Sequence, residues 1–184
     1  MVKQHLKRLA SPRTWPIPKK TLPFVKRPYP GPHKLQYQIC ISVFLRDLVG
    51  LVKTVKEAKF VIHKKLCLID GKPATDDKQP VGLFDTVAVP SLNKFYRVII
   101  NAKNKLVAVE ISQEESQFKI SKITKKTSIR GNKTQLNTLD GRCVLVDDQS
   151  LYTVGDSLQL EVPTQKILTV LKLDIGSVIL LQSG

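Results

Sequence analysis

The residues best equipped for chemistry in this chain are cations. Ten Lys or Arg and no Asp or Glu occupy the first 46 residues: Lys3, Lys7, Arg8, Arg13, Lys19, Lys20, Lys26, Arg27, Lys34 and Arg46. A run of this kind neutralises phosphates and releases their counterions, so its natural ligand is a polyanion. His5 and the flat rings of Trp15, Phe24 and Tyr29 are interleaved with these cations and suited to stacking on bases or sugars. Trp15 is equally suited to packing on the body of the protein. A second acid-free run spans residues 116–139 and holds Lys119, Lys122, Lys125, Lys126, Arg130 and Lys133. It reads as a second RNA surface or as an exposed basic loop.

Catalytic chemistry finds little support. No GxxxxGK[ST] loop is present, and no Cys/His or Ser/His pair has catalytic spacing. Asp140, Asp147, Asp148 and Asp156 sit near turns or strand ends, where turn chemistry explains them. His5, His33 and His63 are too dispersed for a metal site, and Cys40, Cys67 and Cys143 read as reduced thiols in core packing. The reading is therefore of a non-enzyme with no cofactor, no metal and no small-molecule substrate.

The elements that position the cations divide the chain into four segments. Prolines at 12, 16, 18, 23, 28, 30 and 32 deny residues 1–38 a long helix or a central strand. That segment is expected to be an extended basic arm that orders against a partner. In residues 39–93 the apolar spacing of Val43, Phe44, Leu48, Leu51 and Val52 predicts a short helix over 39–52, ended by Gly50. Thr54 and Glu57 have capping-box spacing, which predicts a second helix from about residue 55 to 64. Its polar face carries Lys53, Lys56, Lys59, His63 and Lys64, with Lys65 just beyond, a pattern that also suits a merely solvated surface. Leu66 to Ile69, the Asp70-Gly71 turn with Lys72 after it, and a returning strand over 81–90 complete this module. Lys72 reads as an RNA contact or as no more than a turn residue.

Residues 94–175 are read as a β-rich, barrel-like domain. Phe95 to Ile100 and Leu106 to Ile111 form a predicted hairpin. Phe118 and Ile120 alternate with Lys119 and Ser121, a second Asp-Gly turn follows at 140–141, and Leu158, Leu160 and Val162 mark a half-buried strand. The fold class is thus α+β, with a net charge of +15 and enough hydrophobic content, 42%, to build cores beyond the arm. No apolar run approaches the roughly 18 residues of a membrane span, and no signal-peptide core follows the N-terminus. A membrane partner is not expected.

Thr54, Glu57, Ala58, Ile62, Lys64, Asp70, Gly71 and Lys72 resemble the pattern of the small RNA-binding module found in ribosomal proteins, some pseudouridine synthases and bacterial tyrosyl-tRNA synthetases. The likeness extends along the chain. HLKRLASPRTWPIPKK near the start, RPYPGPH at 27–33, LRDLVG at 45–50, PVGLFD at 80–85 and GDSLQLEVPTQKIL at 155–168 are similar to the archaeal and eukaryotic small-subunit ribosomal protein family of the four-e type. The resemblance implies a cytoplasmic structural constituent of the small ribosomal subunit, whose partners are small-subunit ribosomal RNA and neighbouring ribosomal proteins. It sets the arm and the module's basic face against RNA. A free RNA chaperone or assembly factor with the same module is the alternative. Family members continue into a KOW-type barrel, of which residues 176–184 here resemble a stub, with Ser177 to Leu181 as its first strand.

Overall fold

The proline-rich arm folds back on its own body. The computed structural model describes residues 5–131, 133–147 and 151–181, so Lys3, Asp148 and the last three residues of the expected stub lie outside the described residues. Strands β1 (Leu6–Lys7) and β2 (Phe24–Val25) pair antiparallel within the arm. Trp15, Ile17 and Val25 enter the larger of two hydrophobic cores. Trp15 is fully buried, and its indole N–H donates to the Leu35 carbonyl at 3.3 Å. The Leu106 N–H donates to the Thr14 carbonyl at 2.8 Å, which ties the arm to a distant hairpin. This corrects the expectation of an arm that orders only against a partner. It also removes Trp15 from the candidate RNA contacts, because a large ring beside an available core gains more by leaving water there.

The helix expected over 39–52 is a composite. Strand β3 (Gln38–Cys40) runs into one α-helical turn, α1 (Ile41–Val43), and then a π-helical turn over Phe44–Leu48. The Val49 N–H bonds back to the Phe44 carbonyl at 3.1 Å, five residues earlier. The widened turn places Ile41, Val43, Phe44 and Leu45 together in the core. Gly50, at φ +74, ends it in a conformation that favours glycine.

Helix α2 (Val55–His63) begins as the Thr54/Glu57 spacing predicts. The Glu57 N–H donates to Thr54 Oγ1 at 3.2 Å and the Thr54 N–H to Glu57 Oε2 at 3.4 Å, a complete capping box. Ala58 and Ile62 are its buried face. Strands β4 (Leu68–Ile69) and β5 (Lys72–Pro73) flank Asp70 and Gly71, both left-handed as the tightest hairpins require. The run expected over 81–90 is divided into β6 (Pro80–Gly82) and β7 (Thr86–Val89) by Phe84 at φ 64. Strand β6 pairs with β3, whereas β7 joins β4.

Strands β8 (Lys94–Ile100) and β9 (Leu106–Ile111) form the expected hairpin. They complete a sheet of order β5-β4-β7-β8-β9 and bury Tyr96, Val98, Ile100 and Leu106 in the first core. Both strands of the hairpin thus pack with the first core, although the sequence grouped them with the residues from 94 onward. Apolar alternation identified the strands but carries no information on which sheet receives them.

The second body is a bent, open antiparallel sheet of order β12-β11-β10-β13-β14, a half-barrel. Its strands are β10 (Phe118–Ile129), β11 (Lys133–Thr138), β12 (Cys143–Val146), β13 (Ser157–Glu161) and β14 (Ile167–Leu171). The first half of β10 pairs with β13 and the second half with β11, with an irregularity between Ile123 and Lys125 where it bends. Ile123, Leu136, Leu158 and Leu160 form the second core. Ser177 to Leu181 is not a strand. Its apolar side chains are exposed.

One strand inverts its hydrophobic pattern. Lys119 and Ser121 of β10 point inward, while Phe118 and Ile120 are only half-buried. The Lys119 ammonium lies 3.0 Å from Asp70 Oδ2 and 3.2 Å from Asp140 Oδ2, and is hydrogen-bonded to Asp85 Oδ1. Arg142 adds contacts of 2.6 Å to Asp70 and 3.0 Å to Asp140, and His33 Nε2 lies 3.2 Å from Asp85. Gly82 is required here, because a Cβ would overlap the His33 ring. Burial raises the Lys119 cost of charging, but Asp85, Asp70 and Asp140 outweigh it and hold the pKa above the usual lysine range. Burial likewise pushes the Asp85 and Asp140 carboxyls up, and Lys119 with further hydrogen-bond donors overcomes it, leaving Asp85 well below the usual carboxylate range and Asp140 lowered in the same direction.

Replacing Lys119 by Met leaves Asp70 and Asp140 facing Arg142 and Asp85 facing His33, and should lower stability by about 3–5 kcal/mol in urea unfolding. An unchanged midpoint would show that the cluster neutralises itself by taking up protons. The depressed Asp85 and Asp140 pKa values also set the acid limb: their stabilisation is complete above the ordinary carboxylate value near 4 and is lost as pH falls below it. Asp156 acts in the same direction. Burial opposes its charge, but the Thr153 hydroxyl and N–H, the Leu173 N–H and Lys172 bring its pKa down to about 2. Unfolding followed by circular dichroism should therefore show stability falling steadily below about pH 4; a flat profile down to about pH 2 would contradict the assignment.

Candidate nucleic-acid interface

Helix α2 presents its cations away from the core because Ala58 and Ile62 hold the opposite stripe inside. Lys53, Lys56, Lys59, His63, Lys64 and Lys65 are all exposed. Residues 56, 59 and 63 repeat at about one turn, roughly 5.4 Å along the axis, which gives a ladder of donors at fixed register. Lys59 approaches Asp77 only at 3.9 Å, and Lys64 Nζ sits 5.8 Å from the centre of the exposed Phe60 ring. Lys72, exposed at the end of the Asp-Gly turn, extends the module's cations to its hairpin.

The arm contributes unevenly. His5, Lys7, Arg13 and Lys20 are exposed, and Lys26, Arg27 and Arg46 are half-buried. Arg8 is buried at 4% exposure, with its guanidinium donating to the Pro18 carbonyl at 2.9 Å. That bond serves the arm's own fold, a correction to the expectation of an exposed contact. Lys19 donates to Ser11 Oγ at 3.0 Å, Lys26 pairs with Asp77, and Arg46 pairs with Asp47 at 2.7 Å. Phe24 and Tyr29 keep their rings in solvent.

The third group lies on the β10–β11 hairpin. Lys122, Lys125, Arg130 and Lys133 are exposed, and Lys126 is half-buried with its ammonium donating to the Tyr152 carbonyl at 2.9 Å. Lys133 meets Asp147 at 3.8 Å, a solvated pair of little energetic weight. A twisted two-stranded ribbon with cations at its tip suits backbone contact in a groove.

Like charges crowd one another on the arm. Burial and then Lys105 and Arg13 lower the Lys19 pKa, and burial and then Lys59 lower that of Lys26. A phosphate placed among these groups relieves that repulsion. By contrast, the inward-facing carboxylates Asp70, Asp85 and Asp140 are already engaged by Lys119 and Arg142, so they form a clamp and not an open catalytic centre. Burial pushes the Cys40 and Cys67 thiols up to about 12, which keeps them inert; Cys143, expected in a core, is exposed. Phosphate contacts of this kind position a folded RNA without reading its sequence. Sequence reasoning missed the clamp, because its partners are spread from His33 to Arg142.

The chain was compared with known proteins. The family model described as ribosomal family S4e matches residues 92–167, and that of the RS4NT domain matches residues 2–36. The small ribosomal subunit protein eS4 of Nanoarchaeum equitans is 40% identical over 94% of this chain and 74% of its own length. Its counterpart from Methanosphaera stadtmanae is 40% identical over 99% of this chain and 75% of its own length. The crystal structure of the 30S ribosomal protein S4e from Thermoplasma acidophilum superposes with a TM-score of 0.66 at 31% identity, covering 76% of this chain and 71% of that one. Similarity of that extent, carried by both the arm and the β-rich body, means that the chain belongs to ribosomal family S4e.

Proposed function

We propose that this chain is a structural constituent of the small ribosomal subunit in the cytoplasm, where it binds and rigidifies ribosomal RNA beside neighbouring ribosomal proteins and supports translation without catalysis. One observation carries the RNA contact: the cations of α2, of the arm and of the β10–β11 hairpin are exposed in separate groups, while Asp70, Asp85, Asp140 and Asp156 are drawn inside. The relatives' names support the destination, since each is a small ribosomal subunit protein. Mechanistically, the cations displace counterions from phosphates, and a body with two cores joined by a buried clamp holds those phosphates at fixed separations. Rigidity in the folded RNA is the product.

Two measurements test the reading. Quantitative mass spectrometry of gradient-separated particles should find the chain near-stoichiometric in mature small subunits; absence there, with presence on precursors, would move it to the assembly-factor or RNA-chaperone class. Changing Lys56, Lys59 and Lys64 together to Glu should weaken binding to small-subunit ribosomal RNA. It should also reduce the slope of log affinity against log salt by about 2 to 3, with urea unfolding unchanged. An unaltered slope would take α2 out of the interface.

A further inference from the structure

We propose that the pocket between the arm and the start of the helical module receives one unstacked RNA base. The inference rests on the RNA-binding reading above and adds its point of base contact. The pocket encloses about 370 Å³, within the range of small-ligand sites. Its apolar wall is assembled from three separate segments: Leu22, Phe24 and Val25 of the arm, Val43 of α1 and Val55 of α2. Lys26, Arg27, Arg46 and Lys78 form its cationic rim, the buried Arg8 lines its floor, and no Asp or Glu lines it.

Three features favour a nucleotide. Phe24 is 55% exposed and makes a T-shaped contact with His5, centroids 5.7 Å apart, so much of a flat hydrophobic ring stands in solvent. Ser42, only 1% exposed, lines the pocket with an Oγ that has no hydrogen-bond partner among the described residues, and Arg8 Nε is likewise buried without one. Such groups carry a desolvation cost that a polar ligand edge removes. A base on Phe24 supplies the apolar face, its edge supplies the polar partner, and its flanking phosphates meet the cationic rim. An apolar peptide side chain satisfies the wall but neither the hydroxyl nor the rim.

Fluorescence anisotropy with the full chain tests this, using hexaadenylate and an abasic hexamer carrying the same phosphates. The wild-type protein should bind hexaadenylate about tenfold more tightly than the abasic strand. Phe24→Ala should abolish that difference while leaving abasic affinity and its salt dependence unchanged, and Ser42→Ala should reduce it. Equal, salt-dependent binding of both strands by the wild-type protein would overturn the base pocket and leave the RNA-binding reading standing. Parallel loss of both affinities in the Phe24 variant would overturn it in the same way. Binding of neither strand would bring down both.

Discussion

The relative placement of the two cores depends on the ammonium of Lys119. Its carboxylate partners come from three places that share no secondary structure: Asp70 from the β4–β5 turn, Asp85 from the corner before β7, and Asp140 from the turn after β11. Burying such an assembly costs several kcal/mol per ion before any attraction is counted, so its net contribution to stability is small. Its value is directional. Three carboxylates face two cations, and the surplus negative charge is spread over donors at fixed positions: the Gly82 N–H to Asp85 at 2.6 Å, the Thr86 N–H to Asp70 at 2.9 Å, and the Ser121 hydroxyl to Asp140 at 2.6 Å. An apolar contact tolerates sliding, whereas this one is satisfied in one arrangement only. The two bodies are thereby registered to each other, and with them the cations of α2 and of the β10–β11 hairpin.

The same cluster shapes the outer electrostatics. Among the described residues, Asp70, Asp85, Asp140 and Asp156 are the buried acids, whereas Lys119 and Arg8 are the buried Lys and Arg. The surface is accordingly more positive than composition alone suggests. Some of the remaining acid is committed as well, since Asp47 and Asp77 pair with Arg46 and Lys26. Cations outnumber the acids that still face solvent, among them Glu57, Glu110, Glu114 and Asp174, and that excess suits several RNA segments at once.

Local chemistry was the part of the fold legible in the sequence. Thr54 and Glu57 mark the start of α2 because a capping box is satisfied within four residues, and Asp70-Gly71 marks a hairpin because few residues accept the left-handed region. The exposed cations were legible too, because a Lys that finds no partner stays in water. Long-range choices were not. The periodicity over 39–52 fits α and π turns alike until the carbonyl partner of Val49 is known. Lys119 reads as an outward residue until Asp70, 49 positions away, is folded against it. The proposed base pocket draws on arm and module together, and no single stretch of sequence announces it.

The docked arm changes the thermodynamic character of RNA binding. A disordered arm gives up roughly 1–2 kcal/mol per residue of backbone freedom when it orders on RNA, and much of the electrostatic gain is consumed. Here Trp15, Ile17 and Val25 settle that cost during folding, with the Thr14 carbonyl accepting from the Leu106 N–H of the body. The prolines assist by narrowing the unfolded ensemble at positions whose native backbone they already match. His5, Lys7, Phe24 and Arg27 consequently belong to a preorganised surface, with their positions set by apolar packing before any nucleic acid is met. Hydrophobic burial inside the arm and counterion release outside it are then successive steps, and the first makes the second stronger.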